Sequence, residues 1–333
     1  MRALARRLAC ASVLAVSCLV LPPIPVQGQG VGKLAAACGG GTEVILAWCQ
    51  ETALAAQSAQ GGLGLAASGG SDMPGSASTL GWRYHRSPRY ALTARSSFSR
   101  ISMPALGGGT PFPRGDASFT FPAAQLSASA GVFNGFSPVP NVGGVLSLDL
   151  SGSAHLVRVP KHKGFRDNLL GLGIGARLGI LRESFNLPGV SLSAYRRSLG
   201  TSGFGSLDGG DPAEARFDVA LSSIRGVVGK DVMGLGLFGG MGWDRYKGDV
   251  RIRVTDRTPG PPGPSDAATA TGSISSDRRL HFLGGSVTYV ILQMSLEGGW
   301  AQGFGTQLPD RVVGDFDPSA ASWFGSFAAR VTF

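Results

Sequence analysis

A strict two-residue alternation constrains this chain more than any other feature. Between residues 170 and 180 every even position is Leu, Ile or Ala, and every odd position is Gly or Arg. Residues 146–156 and 292–300 repeat the pattern, with apolar residues or Gly on one parity and polar residues or Gly on the other. Successive side chains of a β-strand point to opposite faces, so this period indicates strands with one apolar face. Weaker segments follow the same rule, and the chain is predicted to be all-β.

Composition excludes three other classes of protein. Of the 333 residues 52 are Gly and only 15% are charged, so the chain lacks the high charge of disordered proteins. The glycines have no three-residue period, which excludes a collagen-like chain. After residue 28 no uncharged apolar run reaches the roughly 20 residues that a membrane-spanning helix needs.

Three features favour a transmembrane barrel over a soluble β-sandwich. Several runs are 11–16 residues long, and a strand that crosses a bilayer at a tilt needs about 9–11. Short connections at 86–89 and 229–231 alternate with long ones at 247–276 and 302–320. Aromatic residues lie near the ends of the runs, as in an interfacial girdle: Trp82, Tyr84, Tyr90, Trp243, Trp300 and Trp323.

The last segment, residues 323–333, ends in Phe333, with Phe327 and Val331 on the same parity. With its alternating runs and this terminal strand, the chain resembles a bacterial outer-membrane β-barrel over residues 78–333. The resemblance is one of class. It implies location in the bacterial outer membrane, contact with its lipids, and recognition of Phe327, Val331 and Phe333 as an assembly signal by the barrel-assembly machinery.

The number of strands follows from the segments that alternate. Eleven qualify, residues 62–67 supply a twelfth, and single-chain bacterial barrels have even numbers. We therefore expect an antiparallel transmembrane β-barrel of about 12 strands, within a range of 10 to 14. The apolar parity changes near Phe98 and Ser222, which predicts β-bulges there. The eleven segments are 79–86, 89–103, 118–133, 144–157, 168–182, 189–197, 215–228, 231–246, 277–290, 291–301 and 321–333.

The first 77 residues precede the barrel. Residues 1–28 have a basic start, an apolar run and a small-residue cleavage site, which predict a secretory signal peptide; a lipoprotein signal at Cys18 is the alternative. Cys38 and Cys49 remain in the exported chain and are predicted to form a disulfide. Residues 29–77 are expected to form a periplasmic or plug segment with a short helix over residues 43–57. This placement resembles the N-terminal hatch of FadL-like transporters of hydrophobic compounds.

The parity opposite to the apolar one is predicted to line the lumen. Its charges leave two readings open. An open lumen with a surplus of Arg attracts anions, whereas in a plugged lumen Arg177 and Arg330 pair with Asp149 and Glu297. The candidate lumen-lining residues are Arg83, Arg95, Asp149, His155, Arg177, Arg197, Glu297 and Arg330.

A basic loop at residues 158–167 holds Arg158, Lys161, Lys163 and Arg166. It is either a solvated loop or a contact for lipopolysaccharide phosphates, and its four charges are too few for a nucleic-acid groove. A nucleophile elbow, a zinc-binding His pair and a phosphate loop are all missing from the sequence, so we expect no enzyme, metal or cofactor.

Three functions follow, in decreasing order of support. The first is passive or substrate-specific transport of small solutes across the outer membrane, with an anion bias. The second is a non-conducting scaffold or surface-binding barrel that acts through long external loops. The third is a barrel lipid hydrolase.

Overall fold

A computed structural model describes residues 28–38, 42–82, 87–106, 115–138, 143–256, 267–305, 308 and 316–333. Apart from Gly28, the predicted signal peptide lies outside the described residues. Ten long strands form a closed antiparallel barrel, because each pairs with the next and the last pairs with the first. The strands are β1 (Gly28–Gln29), which is a short addition, and the barrel strands β2 (Tyr90–Pro104), β3 (Asp116–Phe133), β4 (Ser147–Val157), β5 (Leu169–Leu181), β6 (Gly189–Phe204), β7 (Ala213–Val232), β8 (Leu235–Thr255), β9 (Ala267–Tyr289), β10 (Leu292–Ala301) and β11 (Ser322–Thr332).

The barrel thus has ten strands, and the expected number of about 12 is corrected. Residues 62–67 are helical, because they lie inside the barrel and are apolar or Gly on every side of the helix. Of the predicted strand at 79–86, Trp82 forms only an isolated bridge with Pro88, and residues 83–86 lie outside the described residues.

The apolar parity lies on the outer face of the barrel. Leu170, Leu172 and Ile174 are 75%, 72% and 72% exposed, while Gly171 and Gly173 between them are buried. Such an exterior suits a lipid environment, in which every backbone polar group must be paired within the protein, as a closed barrel allows. The described residues include no helix long and apolar enough to cross a membrane.

The connections give the barrel its orientation. A two-residue turn at Met233 and Gly234 joins β7 to β8, both with positive φ, as the tight turns of hairpins require. The turn predicted at 229–231 therefore lies a few residues later. Phe333 lies at the same end, where its backbone N–H and C=O pair with Tyr90. Short turns mark the periplasmic end of such barrels, so the opposite end is extracellular.

Strands β7, β8 and β9 project beyond the rest of the barrel at the extracellular end. On β8 the outward residues change from apolar ones below Trp243 to charged ones above it, such as Arg245 and Lys247. Since β10 ends at Ala301, the edge of β9 above it is free to pair with β1, which does so at Ser275 and Ser276.

Two helices precede the barrel strands: α1 (Val31–Ala36) and α2 (Glu43–Ser68). The Cys38–Cys49 disulfide joins them, which confirms the predicted pair. Helix α2 continues to Ser68, well beyond the short helix expected over 43–57, and its residues 47–68 are all buried inside the barrel. It begins at the extracellular end, where the Oγ1 atom of Thr42 accepts a hydrogen bond from the Ile45 N–H and donates one to Asp256.

Glycine lets α2 fit within the wall. A Cβ atom on Gly61, Gly62 or Gly64 would lie less than 3.0 Å from Phe304, from Ile101 and Phe121, or from Tyr246 respectively. The helix therefore approaches the wall in three places that a larger residue would keep apart.

An extended segment follows α2 and runs to the periplasmic end. There the backbone N–H of Leu80 donates to Asp149 and that of Trp82 to the Asn134 side chain. We call residues 42–82, which run through the barrel from end to end, the lumenal segment.

Candidate functional site

The predicted lumen-lining residues converge on the lumenal segment. Seven of them are buried on the inner face of the barrel, and Arg83 lies outside the described residues. The seven are Arg95, Asp149, His155, Arg177, Arg197, Glu297 and Arg330.

Arg95 and Glu297 form the first of three buried ion pairs around the end of α2. Their side chains lie 3.3 Å apart and are 2% and 0% exposed. Arg95 also donates to the carbonyls of Gly69 and Ser71, and Glu297 accepts from the Ser71 N–H at 3.0 Å. The pair thus binds backbone carbonyl groups and a backbone N–H group of the lumenal segment.

Asp72 of the lumenal segment forms the second pair with Arg197, at 2.5 Å. Ser193 donates to the same carboxylate at 2.7 Å. The Asp72 carboxylate thus has a guanidinium and a hydroxyl group as its partners.

Arg225 and Asp244 form the third pair, 2.6 Å apart and fully buried. Asp244 also accepts from the hydroxyls of Ser68 at 3.1 Å and Tyr246 at 2.9 Å. Arg225 donates to the carbonyls of Ser68 and Gly70, each at 3.2 Å. A guanidinium at the carboxyl end of α2 pairs its last carbonyls and complements the helix dipole.

We call residues 68–72 and the three ion pairs around them the clasp. Arginines from three strands of the barrel wall, β2, β6 and β7, meet there. Arg95 and Arg225 bind backbone carbonyls, and Arg197 binds Asp72. The arrangement thus holds the backbone through polar side chains that are themselves only 0–2% exposed.

Sequence reasoning found Arg95, Arg197 and Glu297 but missed Asp72, Arg225 and Asp244. Asp72 lies in the segment that has no alternation. Arg225 and Asp244 share the inward parity of β7 and β8 with Ser223 and Tyr246, so the parity of these strands could have indicated them.

The periplasmic half of the lumen is less completely paired. Arg177 donates to Ser191 at 2.9 Å and to the Ser76 carbonyl at 2.5 Å. His155, near the extracellular end of β4, lies 2.8 Å from Ser153. Within the described chain neither Arg177 nor Arg330 has a carboxylate within ion-pair distance, so the pairs predicted for a plugged lumen do not form. Glu297 pairs with Arg95 instead, because Arg95 lies beside it around the end of α2.

Two cations of the basic loop contact residues elsewhere in the chain. Lys161 and Lys163 lie in an exposed 3-10 turn. Arg166 pairs with Glu214 at 2.7 Å, and the ammonium group of Lys163 lies 5.4 Å from the centre of the Phe119 ring. Arg158 and Lys161 are the cations of this loop for which no such contact is seen in the described chain.

The terminal strand closes the barrel. Phe327 is 49% exposed on the outer face, and Val331 pairs with Leu92 of β2. The ring of Phe333 stacks on Tyr90 at 6.3 Å between centroids. Among the described residues, no cluster of His, Cys, Asp and Glu could hold a metal ion.

Comparison with known proteins gives structural likenesses alone. No family model matches the sequence, and no curated protein does. The fold is similar to the outer-membrane protease OmpT of Escherichia coli, at 9% identity and a TM-score of 0.37, over 78% of this chain and 100% of that one. It is also similar to the translocator domain of the autotransporter NalP of Neisseria meningitidis, at 10% identity and a TM-score of 0.33, over 73% and 88%. A third similar structure is the toluene transporter TbuX of Ralstonia pickettii, at 7% identity and a TM-score of 0.27, over 74% and 88%.

These comparisons correct one expectation. The chain was expected not to be an enzyme, but one of the matched structures is a protease. The chain is a closed β-barrel with an apolar exterior, and its location is the bacterial outer membrane.

Proposed function

We propose that this barrel transports small solutes across the outer membrane and that residues 29–77 act as its gate, with the barrel proper covering residues 78–333. The observation that carries the proposal is the clasp, which holds the end of α2 by ion pairs and hydrogen bonds. Hydrogen bonds to charged groups contribute about 1.5–3 kcal/mol each, because water can replace either partner, so water that enters the lumen can take over the bonds of the clasp.

Helix α2 itself carries buried polar groups that support movement. Neither atom of the Gln57 amide, nor the Ser58 hydroxyl, has a partner within the described chain. Each such buried group costs about 1–3 kcal/mol when it is left unpaired. The unpaired groups of this helix are stabilised when water reaches them, which favours a gate over a permanent core element.

The anion bias is proposed from the periplasmic half of the lumen. Over the whole described interior, six buried arginines face five buried acids, because Glu214 is buried on the outward parity of β7. Below the clasp, however, Arg177 and Arg330 face Asp149 as the one buried carboxylate of that region. A path past these groups favours anions.

The test is single-channel conductance in a planar bilayer, with the full chain and a variant that opens the clasp. Arg95→Gln with Glu297→Gln removes both charges of one pair, so neither partner is left as an unpaired ion. We expect rare openings in the wild type, frequent openings in the double variant, and a reversal potential on the anion side in a salt gradient.

The exposed pair Arg245–Asp277 supplies the matched control, because Arg245→Gln with Asp277→Asn changes the same charges outside the lumen. Cation selectivity contradicts the anion bias. A folded double variant that stays silent contradicts gated transport.

A second candidate function is a surface-binding scaffold. The extension of β7–β9 beyond the membrane and the apolar core around α2 at that level favour it, because they build a rigid extracellular platform. Silence of both the wild type and the clasp variant supports this function over transport.

The proposed partners follow from the surface. Lipopolysaccharide phosphates suit the exposed Arg158 and Lys161 through charge-assisted contacts, and the assembly machinery suits the terminal strand with Phe333. Loss of lipopolysaccharide co-purification in Arg158→Gln with Lys161→Gln would support the first contact. Failure of Phe333→Ala to assemble, with Thr332→Ala as control, would support the second.

A further inference from the structure

One arginine at the periplasmic end of the lumen has a charge that the protein does not neutralise. Arg330 of β11 is 8% exposed, and its Nε and Nη1 atoms have no hydrogen-bond partner within the described chain. In register it lies between Thr93 of β2 and Gln293 of β10, which are neutral.

The nearest charged side chains do not neutralise Arg330. Arg177, four strands away around the wall, repels Arg330, and Asp149 attracts it. The Nη1 atom of Arg177 has no partner within the described chain either. Asp149 therefore serves as counter-ion to three guanidinium groups, those of Arg177, Arg182 and Arg330, and one of its oxygens already accepts from the Leu80 N–H.

Unpaired buried charge is costly. Removing an ion from water is strongly unfavourable unless a partner compensates its charge, and buried ions are found with counter-ions or metals. Arg177 and Arg330 are buried beside one carboxylate and Arg182 is half-buried near it, so positive charge is left to be compensated at this site.

We propose that the periplasmic half of the lumen binds a small monoanion at the unpartnered Nε and Nη1 atoms of Arg330. The unpartnered nitrogen atoms are the donors, and the planar guanidinium fork matches a carboxylate. Chloride has the same charge and fewer geometric demands. The site goes beyond the proposed transport and does not depend on conduction, since an ion can bind there in a barrel that never opens.

The test is urea-induced unfolding of the refolded full chain in micelles, at constant ionic strength, in sodium chloride, sodium acetate or the sodium salt of a bulky sulfonate. We expect the unfolding equilibrium constant of the wild type to fall about tenfold for each tenfold rise of the bound anion above its Kd. A response to chloride and acetate supports a general monoanion site, and a response to acetate alone supports a carboxylate site.

Arg330→Met separates the ion from general salt effects. This variant removes the uncompensated charge and keeps the apolar length of the side chain. We expect it to be more stable than the wild type in the sulfonate and to lose the response to chloride and acetate. Arg330→Lys should keep a weaker response, and the outward-facing Arg100→Met should keep the full one.

Two results would overturn the site. One is a wild type equally stable in all three salts, which means that water alone hydrates Arg330. The other is an Arg330→Met variant that still responds. Because the readout is stability, neither result bears on conductance, so failure of this site and failure of the proposed transport are distinguishable.

Discussion

Replacing Asp244 with Asn tests whether the clasp is a dry, charged latch. The Asp244 carboxylate is fully buried and accepts hydrogen bonds from Arg225 at 2.6 and 3.0 Å, from Ser68 at 3.1 Å and from Tyr246 at 2.9 Å. Asn has the same shape, so the substitution removes charge without opening a cavity.

The expected cost follows from what is left behind. The Arg225 side chain is 0% exposed, and after the change none of the described carboxylates lies within ion-pair distance of it. Breaking a buried pair by removing one member costs about 3–5 kcal/mol. Replacing both members with apolar residues of similar volume, as in Arg225→Met with Asp244→Leu, should cost much less, because no buried ion remains.

The free energy of unfolding in micelles, measured by urea titration, is the assay, and the chain offers a matched control. Arg245 and Asp277 form the same type of pair, 2.8 Å apart, on the outer face, where the Arg245 side chain is 52% exposed. Asp277→Asn should cost about 0.2–1 kcal/mol. If Asp244→Asn costs no more than Asp277→Asn, water reaches the clasp and the reasoning is refuted.

Three further substitutions test the helix, the disulfide and the lipid face by the same measurement. Gly64→Ala should destabilise the barrel, because about 1 kcal/mol gained in helix propensity is outweighed by about 1–3 kcal/mol of overpacking against Tyr246. Cys38→Ser with Cys49→Ser should cost about 3 kcal/mol, mainly through the freed chain of the unfolded state. Leu296→Arg, at an outward position midway along β10, should cost about 2–4 kcal/mol.

Each of the three has its own control. At the outward Gly152 an added Cβ meets nothing within 4 Å, so Gly152→Ala should be tolerated where Gly64→Ala is not. Treating the double serine variant with reductant should change nothing, while the wild type loses stability. Thr271→Arg, exposed on the extracellular extension of β9, should be nearly neutral; a cost equal to that of Leu296→Arg would place the membrane elsewhere.

The alternation alone predicted the membrane-level strands, since lipid outside and a polar lumen inside force opposite residue types onto alternate positions. It misjudged the strands that leave the membrane. The bulge predicted near Phe98 is absent, because the register of β2 runs on through it. Near Ser222, β7 keeps its register with β8, but the register between β6 and β7 shifts at Ser198 and Thr201, opposite Ala220 and Asp218. The apolar parity changes there since the inward residues above the membrane, such as Ile101 and Phe217, pack on α2.

The same reversal explains the strand ends. β9 was predicted over 277–290 but begins at Ala267, because its extracellular part has Ala270 and Ile274 on the inner face and polar residues outside. In the membrane the apolar residues of a strand face lipid, outside the barrel. Above the membrane they face the core inside it, so a strand predicted from the outward apolar parity ends too early.

Residue order by itself determined the barrel class, the lipid-facing parity, the closing strand and the Cys38–Cys49 pair, because each depends on local spacing or on a single available partner. Only the tertiary structure decided that residues 62–67 are helical. It also decided that Arg225, more than 150 residues later in the chain, donates hydrogen bonds to the end of that helix. A helix enclosed by a barrel has no solvent-facing side, so it leaves no amphipathic period. Its ion pairs form between strands that only closure of the barrel brings around it.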